Sequence, residues 1–68
     1  MINEVRALRE QRKLTQQQLG ELVGVSRQSI VAIEKGKYDP TLWVAYDLAK
    51  VFGITIEELF DFEGGERK

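Results

Sequence analysis

Apolar residues fall along the chain in short bursts at three- and four-residue spacing, separated by glycine, proline and hydroxyl residues, and no alternating stretch is long enough to argue for a sheet. The pattern predicts five helices. A first runs from a cap at Asn3 to about Lys13 and buries Val5 and Leu8. Thr15 caps a second, Gln16 to Val23, with Gln18 at the three-residue offset of a capping box and Leu19, Leu22 and Val23 facing inward. Gly24 ends it. Ser26 caps a third, Arg27 to about Lys35, with Ile30 and Ile33 inward and Gly36 as the closing glycine. Residues 36–40 form a loop, because Pro40 biases Asp39 away from helical geometry. Thr41 caps a fourth helix whose inward stripe is Leu42, Ala45, Leu48, Ala49 and Phe52, and Gly53 stops it. Thr55 caps a last short turn, Ile56 to Phe60. Residues 63–68 hold no apolar side chain and are expected to form a flexible tail, leaving one domain over residues 1–62.

Between the second and third helices lie only Gly24, Val25 and Ser26, the length and glycine placement of a helix-turn-helix, here spanning Gln16 to Lys35. Gly24 suits the left-handed conformation that stops one helix, Val25 can drop beneath the corner, and Ser26 restarts the chain as a cap. Gly20 sits inside the second helix at a cost of about 1 kcal/mol of helix propensity relative to alanine, which predicts that the third helix crosses close above it.

Wound at about 100° per residue, the third helix puts Gln28, Val31, Ala32 and Lys35 opposite its two isoleucines, with Arg27 and Ser29 flanking that face. A purely solvated face would carry Glu and Lys pairs. This one suits a DNA major groove, where glutamine bonds adenine, arginine grips guanine, and Val31 or Ala32 touches thymine methyls. Gln16 and Gln17 open the second helix, whose free N–H groups favour a phosphate. Ser29, Lys35 and Lys37 complete the expected phosphate contacts, which set position and not sequence.

Composition narrows the choice further. A 68-residue domain buries a low fraction of its surface and needs some supplement to its core. Without cysteine or histidine there is no disulfide, no thiolate or imidazole metal site and no ordinary general base, so dimerisation is the remaining supplement and neither an enzyme nor a cofactor is expected. The formal charge of −1 fits poorly with a nucleic-acid binder, but it hides a division. Residues 1–37 hold seven basic side chains against four acidic, and residues 38–68 three against seven. One molecule can therefore present a positive face while staying acidic overall. No apolar run approaches membrane-spanning length, and the charged N-terminus is unlike a signal peptide, so a cytoplasmic protein acting on the nucleoid is expected, with no membrane partner.

The run LTQQQLGELVGVSRQSIVAIEKGK, Leu14 to Lys37, resembles the Cro/C1-type (phage-repressor-like, XRE-like) helix-turn-helix family, agreeing at the turn, both caps and the core positions together. The likeness continues through YDPTLWVAYDLAKVFGITIEELF, and within the family it is to the very short stand-alone transcription repressors, including the cytolysin-operon type. The resemblance implies an all-α, five-helix, lambda-repressor-like domain whose terminal segments, about 1–3 and 60–62, pair as short strands. It further implies that Gln16 contacts phosphate and braces Gln28, that Arg27, Gln28 and Ala32 face bases, and that Arg9 pairs with Glu34 to lock the first helix to the third. Ala32 stands where some relatives have a longer polar reader, and Asp39 where others have a basic residue. Both departures point to a target sequence of its own.

Trp43, Tyr46, Phe60 and Phe62 exceed what so small a core hides, and Phe62, past the last helix beside Asp61 and Glu63, is a candidate dimer contact together with Phe60. Glu57 and Glu58 are adjacent on a helix, point about 100° apart and have no partner base, so they are read as solvated. The expected function is a homodimeric repressor that sets two reading helices into successive major grooves of a palindromic operator, with double-stranded DNA as partner and no small-molecule ligand. Two other readings stay open: an antitoxin that binds both operator and toxin, and a protein-interaction module, for which the acidic C-terminal half is the argument.

Overall fold

Helices in this chain begin where a hydroxyl side chain meets the first free N–H groups. The computed structural model describes residues 2–62. Thr15, Ser26, Thr41 and Thr55 each accept from the backbone N–H three residues on, and Thr15 with Gln18 and Thr55 with Glu58 complete capping boxes. The helices so started are α2 (Gln16–Val23), α3 (Arg27–Glu34), α4 (Leu42–Phe52) and α5 (Ile56–Leu59), preceded by α1 (Val5–Gln11). The tail expected over residues 63–68 lies outside the described residues, as does Met1.

Helix α1 starts and stops later and earlier than its sequence suggests. Glu4 holds the N-cap position, while Asn3 lies in a strand, β1 (Ile2–Asn3), from which its Oδ1 still accepts from Val5 N at 3.0 Å. At the other end Lys13, expected as the last helical residue, takes φ 58° and turns the chain. Lys13 N donates to Glu10 O and Leu14 N to Arg9 O, at 3.0 and 3.1 Å, the double bond of a Schellman cap. The same pair of bonds, from Gly53 to Lys50 and from Ile54 to Ala49, closes α4.

Strand β1 pairs antiparallel with β2 (Phe60–Asp61), Ile2 opposite Asp61 and Asn3 opposite Phe60, so the terminal strands implied by the resemblance are present. Phe60 therefore leaves α5 for an extended backbone, one residue before the helix was expected to end. The fold is mostly helical, five helices closed by this two-stranded sheet.

The core lies where all the elements converge. Val5, Leu19, Ile30, Leu48, Leu59 and Phe60 are each at most 1% exposed, with Ile33, Ala49 and Phe52 beside them and Leu8 and Val25 packed at the edge. Two expectations fail. Leu22 is 60% exposed, because Leu19 and Val23 alone define the stripe that α2 turns toward α3 and α4. Leu42 is 73% exposed, since it begins α4 at the margin of the stripe, where no described element covers it. Gly20 is needed for a slightly different reason than expected. A Cβ there would stand 2.6 Å from the Val25 carbonyl oxygen, so it is the turn's backbone, and not the body of α3, that comes close. No described helix is long and apolar enough to cross a membrane.

Candidate nucleic-acid interface

The outer face of α3 is presented by what lies beneath it. Ile30 and Ile33 are buried at 0% and 1%, fixing the helix's roll, and the Ser26 cap with Gly24 at φ 75° fixes where it starts. Opposite the isoleucines, Arg27, Gln28, Val31, Ala32, Lys35 and Lys37 line one shallow groove. Arg27, Gln28, Lys35 and Lys37 are exposed and Val31 and Ala32 half-buried. Among the described residues Arg27, Lys35 and Lys37 make no ion pair, so three cations stand free on this face. Ser29 differs from its neighbours: its N–H donates to Ser26 Oγ and its Oγ accepts from Ser26 Oγ, both at 3.1 Å, so it belongs as much to the cap as to the surface.

A second groove adjoins the first. Arg6, Thr15, Gln16, Val31 and Lys35 line it, with Arg9 and Glu34 at its floor. Val31 and Lys35 belong to both grooves, so the N-terminus of α2 and the face of α3 form one continuous surface. Gln17, the next residue of α2 after Gln16, is exposed but does not line this groove. Sequence reasoning missed Arg6. Its spacing to Glu10, with which it pairs at 3.3 Å, was visible, but its approach to Gln16 and Lys35 depends on how α1 crosses the motif.

The floor is an enclosed polar network. Arg9 Nε donates to Glu34 Oε2 at 2.6 Å, Nη2 to Oε1 at 3.3 Å and Nη1 to Leu14 O at 2.8 Å. The hydrogen bond that Arg9 donates to Glu34, together with the charge of that carboxylate, holds the Arg9 guanidinium above its ordinary pKa, with burial opposing. The Gln16 amide donates to Glu34 Oε1 at 3.2 Å, so among the described residues its bond is to the ion pair and not to Gln28, the residue the resemblance implied it braces. Asn3 Nδ2 donates to Ile33 O at 2.9 Å, satisfying a carbonyl at the end of α3. Among the described residues no buried side-chain nitrogen or oxygen lacks a partner.

Of the two phenylalanines expected at a dimer contact, Phe60 is 1% exposed and is the largest fully buried side chain. Its ring fills the core, where the extended backbone of β2 turns it inward, and is not available to another molecule. Phe62 is 38% exposed. Among the described residues no group of acidic, cysteine or histidine side chains is placed to hold a metal. The surface offers hydrogen-bond donors, methyl groups and free cations, the means of gripping a polyanion.

A family model described as helix-turn-helix matches residues 5–59. An uncharacterized HTH-type transcriptional regulator of Methanocaldococcus jannaschii is 50% identical over 66 residues, covering 97% of this chain and 100% of its own. Among solved structures, the P22 c2 repressor protein in complex with a synthetic operator superposes with a TM-score of 0.82 at 29% identity, over 85% of this chain and 88% of that one. The restriction-modification controller protein of Aeromonas hydrophila gives a TM-score of 0.75 at 32% identity, over 84% and 86%. Matched through every element from α1 to α5, and over nearly its whole length by a transcriptional regulator, the chain belongs to the Cro/C1-type helix-turn-helix family of transcriptional regulators.

Proposed function

We propose that the chain is a sequence-specific DNA-binding repressor that works as a homodimer on a palindromic operator, with α3 in the major groove. The observation that carries this reading is the free outer face of α3 and the turn after it: donors, methyl groups and three cations, Arg27, Lys35 and Lys37, that pair with no described residue, on a helix held from below by Ile30 and Ile33. Arg27 and Gln28 read base edges, and Val31 and Ala32 meet thymine methyls. Gln16, Gln17, Ser29, Lys35 and Lys37 hold phosphates on either side, Gln16 with its amide oriented by Glu34. The similar P22 c2 repressor binds an operator, which supports the same docking here.

A formal charge of −1 makes the electrostatic attraction of one copy for DNA modest. Two copies with their α3 helices about 34 Å apart reach successive major grooves and multiply that attraction. Occupancy of the operator excludes polymerase sterically, in the cytoplasm, on the nucleoid. Phe62 is available to the contact between copies. Selection of bound duplexes from random DNA, followed by sequencing, tests the whole reading. An enriched inverted repeat is the expected result. Enrichment of no sequence, or of a lone half-site, overturns it.

A further inference from the structure

Two arginines stand one turn apart on α1 and are held in different ways. The Arg9 side chain is 11% exposed and makes three hydrogen bonds, two of them to the buried Glu34, so its charge is spent inside the fold. The Arg6 side chain is 72% exposed and bonds only through Nε, to Glu10 Oε2 at 3.3 Å, while its two terminal nitrogens donate to no described residue. Glu10 is itself 55% exposed, and the same Oε2 lies 4.0 Å from Arg9 Nη2. An exposed pair of this kind adds little stability and is screened by salt. Its order along the helix, with the cation four residues before the anion, is also the less favourable one. A stronger anion can therefore take Arg6 from Glu10.

The surroundings of Arg6 say which anion. It lines the groove beside the reading surface together with Thr15, Gln16, Val31 and Lys35. The one carboxylate lining that groove, Glu34, is taken by Arg9 and Gln16, so Arg6 and Lys35 are like charges along one groove with no uncommitted anion among its lining residues. A guanidinium offers a phosphate two parallel N–H donors, a stronger grip than a single Nε bond to a solvated carboxylate. We infer that Arg6 is a further phosphate-gripping residue, carried by α1, and that Glu10 restrains it. In the free protein Glu10 holds the guanidinium, and on duplex DNA the guanidinium passes to a backbone phosphate at this groove. The inference rests on the DNA-binding reading and adds to it a third helix of the interface and a side chain that opposes binding.

Fluorescence anisotropy titrations of the full chain on the selected operator and on a scrambled duplex, repeated over a salt series, test it, with circular dichroism melts to verify folding. Arg6→Ala weakens binding to both duplexes alike, by about threefold to tenfold, and lowers the slope of log affinity against log salt by about 1 for each copy bound. Arg6→Lys keeps the charge, hence the slope, and stays within about threefold of wild type. Glu10→Gln tightens binding to both duplexes by about threefold to fivefold, and in the Arg6→Ala background that gain falls below about twofold. The shrinkage is expected only if Glu10 acts by holding Arg6. Affinity and slope unchanged by Arg6→Ala, weaker binding by Glu10→Gln, or a Glu10→Gln gain equal in both backgrounds overturns the inference while leaving the DNA-binding reading intact. Wild-type protein that binds neither duplex at low salt overturns both.

Discussion

Arg9 and Glu34 lie 25 residues apart in sequence and meet through two hydrogen bonds of 2.6 and 3.3 Å, their side chains only 11% and 4% exposed. Because Gln16 donates to the same carboxylate, one buried charge fixes α1, α2 and α3 together.

Removing either partner strands the other charge out of water. Arg9→Met or Glu34→Leu is expected to lower the free energy of unfolding by about 3–5 kcal/mol, and the double variant by clearly less than the sum of the two. Urea denaturation of the four proteins measures this, and strictly additive losses would show that the pair does not act as a unit. The sign of the Arg9 shift also fixes a pH result. A cation whose pKa is raised on folding contributes its full stabilisation below its unfolded-state value and loses it only as pH rises through the higher, folded one. Between pH 7 and 10 the melting temperature therefore carries no Arg9 titration, and the wild type and Arg9→Met should keep a constant separation across that interval.

Gly20→Ala gives the helix a better residue and the fold a clash. The gain in propensity is about 1 kcal/mol, but the new methyl group would meet the Val25 carbonyl at 2.6 Å, and backbone in a three-residue turn has little room to move. A net destabilisation of about 1–3 kcal/mol is expected. A variant that melts above wild type would mean the turn relaxes, and the spacing of α2 and α3 with it.

Lys13→Gly works in the opposite direction. Lys13 is the one non-glycine described residue with positive φ, in the position that Gly53 holds in the equivalent cap of α4. Relief of left-handed strain outweighs the added freedom of the unfolded chain, for an expected gain of about 0.5–1 kcal/mol. Thermal melts decide it, and a loss would assign the exposed lysine a contact beyond its own turn.

Gln28→Ala and Lys35→Ala separate reading from holding. On the selected operator Gln28→Ala is expected to lose about 1–3 kcal/mol of binding, with scrambled duplex nearly unaffected. Lys35→Ala should weaken both duplexes alike and reduce the slope of log affinity against log salt by about 1. Equal losses for Gln28→Ala on both duplexes would remove it from the bases.

Much of this was legible in the chain because it is written locally. Caps, capping boxes and stop signals act within five residues, so α2 and α4 matched their expected bounds and α3 came within one residue. Leu22 and Leu42 were misjudged because apolar spacing gives a helix's periodicity but not how wide an arc its neighbours cover. The bond from Gln16 to Glu34 and that from Asn3 to Ile33 span 18 and 30 residues and depend on how three helices cross, information no local pattern carries. Phe60 was expected at a dimer contact beside Phe62, because so small a core was not expected to hide every aromatic ring. The turn from α5 into β2 reverses that expectation.

The pairing of Ile2 and Asn3 with Asp61 and Phe60 has a consequence for how the domain is made. On a ribosome, α1 to α4 emerge first, yet the largest fully buried side chain and both partners of β1 arrive at the end of the fold. Until Phe60 clears the exit tunnel, a hole stands in the middle of the nascent chain's interior and its first strand has nothing to pair with. The domain is thus assembled by its last dozen residues, and a stop codon that removed them would release a chain with α3 written but not yet held in place.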